Sequence, residues 1–237
     1  MKPTDTRSDF HLLAGKVLRV NGFFSGCPSD ALDRIVALGR VVLLDDGQGV
    51  HARGQMVDSL IMVVTGSLGV STTSAAGKRH VVGLLQPGQF SGLISFFDGK
   101  PSIHDNYAHG PTMVLRIDQQ AFREEMQQQP AVADAMLRML ASRARGLHER
   151  TVSILLEPLQ VRLARTLLGL LGSYGLHRPS GILINLKLSQ EDFASLLGVT
   201  RQRINRELSE LVRRQVIAVS YSQIRVVDLP QLQEIAG

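Results

Sequence analysis

Hydrophobic and polar positions along the chain fall into three textures. From about residue 10 to 39 the apolar positions recur every three or four residues, as on a helix. Ser29-Asp30 is placed to cap a helix carrying Leu32, Ile35, Val36 and Leu38, which Gly39 would end. From about 40 to 120 the pattern changes to short apolar runs broken by glycine. Val41–Leu44, Ser59–Val64, Ser67–Ser71, His80–Leu85 and Val114–Ile117 read as strands. Gly47, Gly54, Gly66, Gly77, Gly88, Gly99 and Gly110 separate them at hairpin spacing, which predicts a small barrel or sandwich. From about 119 the helical period returns.

The longest helical pattern runs from about Ala131 to Leu155. Val132, Ala135, Met136, Met139, Leu140, Arg143, Leu147, Arg150 and Ile154 follow a three-four spacing. Such a stripe packs on the β domain or on a copy of itself across a two-fold axis. Its length favours self-pairing for at least part of it. The expected pairing residues are Met136, Met139, Leu140, Leu147 and Ile154, with Arg143 and Arg150 interrupting the seam. Glu157-Pro158 then breaks the helix. The expected division is a β domain over 1–129, a central helix over 130–157 and a third region over 158–237.

Beyond Pro158, Leu159–Leu171 is an amphipathic helix, Tyr174–Gly181 reads as a loop, and Ile182–Leu188 alternates like a strand. Leu188–Leu208 then carries two short helices joined by a tight turn. Ser189 caps the first, with Asp192 three residues on. Phe193, Leu196 and Leu197 form its apolar face, and Gly198 ends it. Thr200 caps the second helix, which buries Ile204 and Leu208. Its outer face carries Arg201, Gln202, Arg203, Asn205 and Arg206, side chains that reach base edges and phosphates in a major groove. Val216–Ser220 and Gln223–Val227 flank Tyr221-Ser222 as a β-hairpin, the wing of a winged helix. The expected DNA-binding set is therefore Ser189, Thr200, Arg201, Gln202, Arg203, Asn205 and Arg206. A plain helical hairpin with solvated basic residues is the competing reading. Glu207 counts towards it, because this motif usually has an apolar residue there and Leu208 must take over that packing.

Charge sharpens the division. The chain holds 26 Lys+Arg against 21 Asp+Glu, a net charge of +5. From Pro158 onward there are 10 and 6, so the last third carries most of the excess. The single cysteine, Cys27, excludes a disulfide framework or a cysteine-ligated iron–sulfur cluster within one chain. No apolar run reaches membrane-spanning length and the first residues lack a signal-peptide core, so a cytoplasmic protein without membrane contact is expected. The seven histidines show no metal-ligand spacing.

The order of glycine-punctuated roll, long helix, Arg162-Leu-Ala-Arg165 helix and winged helix-turn-helix resembles the Crp/Fnr superfamily of bacterial transcription regulators. Gly54, Gly66-Ser67, Pro87–Gly92, Phe96–Gly99, Pro130 and the Leu188–Leu211 block carry the resemblance over nearly the whole chain. It implies an α+β protein: an N-terminal β-roll of the cyclic-nucleotide-binding type (a jelly roll), a long dimerisation helix and a C-terminal winged helix-turn-helix. It also implies a non-enzymatic homodimer on a two-fold double-stranded DNA operator, an effector acting through the roll, and RNA polymerase as a partner. Arg201, Gln202 and Arg206 are then the expected base readers. Glu is usual in the family where Gln202 stands, and an amide suits adenine, so an altered half-site is expected.

The effector site departs from the family pattern. Cyclic-AMP-binding members have a Glu after the roll glycine and an Arg-Ser pair some ten residues on. Here Leu93 follows Gly92, and the later segment reads Lys100-Pro-Ser-Ile-His-Asp105. Leu147-His148 stands where two small hydroxyl residues usually face the adenine. A buried cyclic phosphate without its Arg is expensive, so cyclic AMP is not expected and no cofactor is assigned. The candidate pocket is Gly92, Leu93, Ile94, Lys100, Ser102, His104, Leu147 and His148. Three alternatives stay open: a metal or haem at histidines such as His104 and His109, an apolar small molecule against Leu93, Ile94, Phe96 and Leu147, or no effector at all. Two rival classes also stand: a cupin-like metal-dependent enzyme fused to a helix-turn-helix, and a helix-turn-helix that binds protein. The first needs paired histidines with a downstream Glu, and no such set appears. The Arg/Gln/Asn-rich outer face argues against the second.

Overall fold

The computed structural model describes residues 6–73, 79–220 and 223–237. Gly77 and the expected wing turn at Tyr221-Ser222 lie outside them. The chain forms two compact units, one of residues 1–79 with 83–145 and the other of 80–82 with 146–237.

The first unit opens with α1 (Thr6–Val20), a 3-10 turn (Gly22–Phe24) and α2 (Ser29–Ala37). Gly39 does not merely follow the helix: it starts β1 (Gly39–Leu44). β2 (Gly49–His51), β3 (Ser59–Thr65), β4 (Leu68–Thr73), β5 (Arg79–Leu85), β6 (Phe90–Ser91), the short helix α3 (Leu93–Asp98), β7 (Asp105–Ala108), β8 (Thr112–Asp118) and α4 (Gln119–Gln128) complete the roll. Two sheets result, in strand orders β1-β8-β3-β6 and β2-β7-β4-β5.

β3 explains the architecture. Its run of six buried residues, Ser59 to Val64, is too apolar for a strand with one wet face. Ile61 and Val63 point inward, where they meet Leu44, Val114, Leu68 and Ala108 between the two sheets. Leu60, Met62 and Val64 point outward into a second core, covered by helices. That core holds Leu18, Ile35, Phe90, Phe96 and Phe122. Phe122 sits edge-on to Phe96 at 5.7 Å between centroids. Truncating a side chain like Phe122, with no exposed surface, typically costs about 3–5 kcal/mol. Glu125 of α4 is buried, and its carboxylate accepts from Arg34 Nε of α2 at 3.1 and 3.2 Å.

α5 runs from Pro130 to Leu156, 27 residues. Its first half buries Val132, Ala135, Met136 and Met139 in the helix-covered core of the roll. The division between the two units therefore falls inside α5, between Arg145 and Gly146, and not at Pro158. This also corrects the expected pairing seam. Met136 and Met139 are 0% and 3% exposed within their own chain, so they have no surface to offer a partner.

The second unit contains α6 (Leu159–Tyr174), β9 (Gly175–Arg178), β10 (Gly181–Ile184), α7 (Gln190–Leu197), α8 (Arg201–Arg213), β11 (Ile217–Ser220), β12 (Gln223–Val226) and α9 (Leu229–Ala236). The strands form one sheet in the order β11-β12-β10-β9. The segment expected as a loop, Tyr174–Gly181, is half strand. β9 pairs antiparallel with β10, Arg178 opposite Gly181, so Pro179-Ser180 is a two-residue turn. Gly181 has φ 123°, and a Cβ there would meet the Val226 carbonyl oxygen at 2.3 Å, so the neighbouring strand forbids a side chain. α9 was not anticipated, although Asp228 caps it by accepting from Gln231 N at 2.9 Å and Pro230 stands in its first turn.

Candidate nucleic-acid interface and roll cavity

The helix-turn-helix forms as its residues predict. Ser189 Oγ accepts from Asp192 N at 3.1 Å, and Asp192 Oδ2 accepts from Ser189 N at 2.8 Å, a complete capping box. Gly198 closes α7 in the left-handed conformation, φ 66°. Thr200 Oγ1 accepts from Arg203 N at 3.4 Å and starts α8. Ile204, Leu208 and Leu211 are buried beneath α8, so Leu208 does supply the packing that Glu207 cannot.

The opposite face of α8 is open. Arg201, Gln202, Arg203, Asn205 and Arg206 are all exposed. Ser189 and Thr200 are committed to capping, which fixes the two helix starts. Sequence reasoning missed Gln190. Its Nε2 donates to Asn205 Oδ1 at 2.9 Å and its Oε1 accepts from Arg201 Nε at 3.4 Å. One side chain on α7 thus holds two of the outward-facing residues of α8. Arg162, a motif residue in the sequence, donates to the Leu197 carbonyl at the end of α7. Burial, then the nearby positive Arg203, pull its pKa down.

The roll has a cavity of about 70 Å³. Of the residues named from the sequence, Gly92, Leu93, Ile94, Ser102 and His104 line it, together with Val70, Leu85, Phe90, Ser91, Asn106 and Arg143. Lys100, Leu147 and His148 are not among its lining residues, and all three are exposed. Lys100 is therefore corrected from pocket cation to surface residue. Leu147 and His148 belong to the second unit. Gly92 has φ 86°, and a Cβ on it would meet His51 Cε1 at 3.0 Å and the Ser59 oxygen at 3.1 Å. This tight turn brings Ser91 within 3.0 Å of His51 Nδ1, and Ser91 Oγ donates to Asn106 Oδ1 at 3.0 Å. Burial holds the pKa of His51 below the usual imidazole value, and the positive Arg116 adds to the effect. Burial, with Arg53 nearby, does the same to His104. Among the described residues no three His, Cys, Asp or Glu side chains gather as metal ligands. No helix among them is long and apolar enough to cross a membrane.

A winged helix-turn-helix with an exposed Arg/Gln/Asn face, joined to a β-roll with a small half-open cavity, defines a class: two-domain DNA-binding regulators. Comparison with known proteins narrows it. Residues 34–129 match the cyclic nucleotide-binding domain family, and residues 161–235 match the Crp-like helix-turn-helix domain family. The chain is 23% identical over 217 residues to a CRP-like cAMP-activated global transcriptional regulator of Mycobacterium tuberculosis, covering 92% of this chain and 97% of that one. It is 26% identical over 184 residues to the global nitrogen regulator of Synechococcus elongatus, covering 76% and 82%. The solved structure of FixK2 from Bradyrhizobium japonicum shares the fold, with a TM-score of 0.72 at 18% identity, over 84% of this chain and 98% of that one. The chain belongs to the Crp/Fnr superfamily of DNA-binding transcription regulators.

Proposed function

We propose that this regulator works in the cytoplasm as a homodimer on a two-fold operator, controlled through its roll by an effector other than cyclic AMP, and engages RNA polymerase as its relatives' family does. It performs no catalysis on this reading. The observation that carries it is the face of α8: five exposed polar side chains set over buried Ile204, Leu208 and Leu211. Arg201, Gln202 and Arg206 occupy the first two turns, the part of a recognition helix that enters the groove.

The dimer reading rests on a revised stripe of α5. Leu137, Leu140, Ala144, Leu147, Thr151 and Ile154 keep an unbroken three-four alternation. Leu137, Leu147 and Ile154 are 57%, 62% and 55% exposed. Large apolar side chains at coiled-coil spacing and open to solvent fit a partner helix. Met136 and Met139 lie on another side of the helix, against the roll core.

The case against cyclic AMP is chemical and steric. The acid and the Arg-Ser pair are missing, Lys100 is on the surface, and about 70 Å³ is far below the roughly 300–1,000 Å³ of pockets that enclose drug-sized ligands. The Mycobacterium tuberculosis relative is named as cAMP-activated, so the point needs direct measurement. Selection of bound sequences from random duplex DNA by the purified protein should return a two-fold site. Isothermal calorimetry with micromolar cyclic AMP should show no heat. A non-palindromic or random pool would overturn the dimeric-operator reading, and stoichiometric cyclic AMP binding would overturn the effector reading.

A further inference from the structure

Gln190 is the first residue of α7, directly after the capping box at Ser189, and it is half-buried at the edge of the recognition face. Arg201 is the first residue of α8, fixed in the same way by the cap at Thr200. Arg201 and Asn205 stand one helical turn apart, so they form one row along the exposed face of α8, with Gln202 and Arg206 as the next row. Both side-chain bonds of Gln190 go to the first row. Its Nε2 donates to Asn205 Oδ1 at 2.9 Å, and its Oε1 accepts from Arg201 Nε at 3.4 Å.

The chemistry of the three groups dictates which way each amide faces. A guanidinium has donors and no acceptor. The Gln190 oxygen must therefore face Arg201 Nε. That turns Gln190 Nε2 towards Asn205, where a donor needs an acceptor, so the Asn205 oxygen must face Gln190. A polarity set by Arg201 thus passes through Gln190 to Asn205. Asn205 is left with Nδ2 to offer outward, and its oxygen is turned away from the two-point contact that an amide makes with adenine. Arg201 has its Nε occupied and keeps its two Nη groups for an end-on contact.

In the free protein these exposed bonds are weak, because water competes for every partner. Inside a groove the water is displaced, and a polar group facing the wrong partner costs more than a correct bond contributes. An orientation fixed beforehand then becomes a base preference.

We infer that Gln190 is a specificity-determining positioning residue, which presents Asn205 to the operator as a hydrogen-bond donor and Arg201 as an end-on fork. Asn205 then selects thymine or guanine, through the O4 or O6 acceptor, and Arg201 selects guanine. The inference rests on the reading of α8 as the helix in the major groove. It adds a polarity that the residues of α8 alone do not define.

The test is selection of bound sequences from random duplex DNA by the full-length protein, with helix content and unfolding midpoint measured alongside. Arg201→Ala and Asn205→Ala locate the half-site position that each residue reads. Gln190→Glu is the decisive variant. Its carboxylate can accept from both neighbours and donate to neither. The bond from Arg201 survives, while Asn205 must turn Nδ2 inward and its oxygen outward. The Arg201 position should stay guanine. The Asn205 position should change from thymine or guanine to adenine or cytosine, which carry an amino donor, by about tenfold in relative affinity. The added negative charge weakens binding to all DNA alike, so relative preferences are read. Gln190→Met has a similar length and no hydrogen-bonding group. It should relax both positions several-fold and create no new preference, and it decides the matter alone if Gln190→Glu fails to fold or to bind. A merely structural role would lower the midpoint or the affinity for every site and leave the preferred bases in place. The inference is overturned if the Gln190 variants return the wild-type site, if Gln190→Glu relaxes the Asn205 position without switching it, or if Asn205→Ala relaxes no position. A wild type without any base preference would sink the reading of α8 itself. A wild-type preference that survives both Gln190 variants would sink the inference alone.

Discussion

The recognition helix and the roll cavity both present arginine, in opposite surroundings. Arg201, Arg203 and Arg206 stand in water on α8. Holding them there costs little, and they give up their hydration only when phosphates or base edges replace it. Arg143 is half-buried and donates to the Phe90 carbonyl. The first arrangement suits a partner that is large, charged and met at the surface. The second holds its arginine against the roll through the Phe90 carbonyl. Position relative to solvent, more than residue type, separates the two sets.

The most disruptive way to break this comparison is to remove the avidity that the recognition helices share. Leu147→Asp should place two unpaired carboxylates in the helix seam and cost the dimer several kcal/mol. Sedimentation should show monomers, and operator binding should collapse because each half-site alone is weak. Leu147 is exposed within its own chain, so the unfolding midpoint of the monomeric roll should be preserved. An intact dimer would remove the seam assignment. Leu140 is a poorer probe, because it also packs against the roll core.

A smaller effect sharpens the outer half of the comparison. Arg206→Ala should cost about 1–3 kcal/mol on the operator and relax one base position. Equal losses on operator and random DNA would reduce Arg206 to a phosphate contact. Smaller still is Gln190→Ala. It removes the amide that holds Asn205 and Arg201, hydrogen bonds worth about 0.5–1.5 kcal/mol each at most. Operator affinity should fall while helix content and the unfolding midpoint stay constant. A drop in midpoint with unchanged affinity would make Gln190 purely structural.

The least effect concerns the inner half. The pKa of His51 is depressed by burial in the folded roll. Its stabilising contribution is full above the ordinary imidazole pKa of about 6.5 and is lost as pH falls through the lower folded value. The unfolding midpoint should therefore fall as the pH is lowered from 7 to 5, and His51→Gln should flatten that slope. An unchanged slope in the variant would move the titration to another group, His104 being the next, since its pKa is depressed in the same direction.

The two sites differed in how far the sequence disclosed them. The recognition face lies within one stretch, where the caps Ser189 and Thr200, the stop at Gly198 and the buried Ile204 and Leu208 all obey local rules. The cavity draws on β4, β5, β6, α3, β7 and α5, so no local pattern could assemble it. Its glycine turn, Ile94, Ser102 and His104 are legible because a family pattern marks them, whereas the same pattern misplaces Lys100. Arg143 is not legible, because a three-four period identifies faces of a helix and does not say which neighbour covers each. The same ambiguity placed Met136 and Met139 in the seam when the roll covers them. β9 is hidden in the sequence because the exposed residues around Pro179-Ser180 all look like turn chemistry, and only half of them turn.

The central claim is that α8 reads sequence in double-stranded DNA. Titration of the purified protein against its selected operator and against random duplex, over a range of salt concentrations, tests it most directly. The account predicts an operator preference of roughly a thousandfold or more, with random-DNA binding falling steeply as salt rises. Equal affinity for both DNAs at every salt concentration would contradict it.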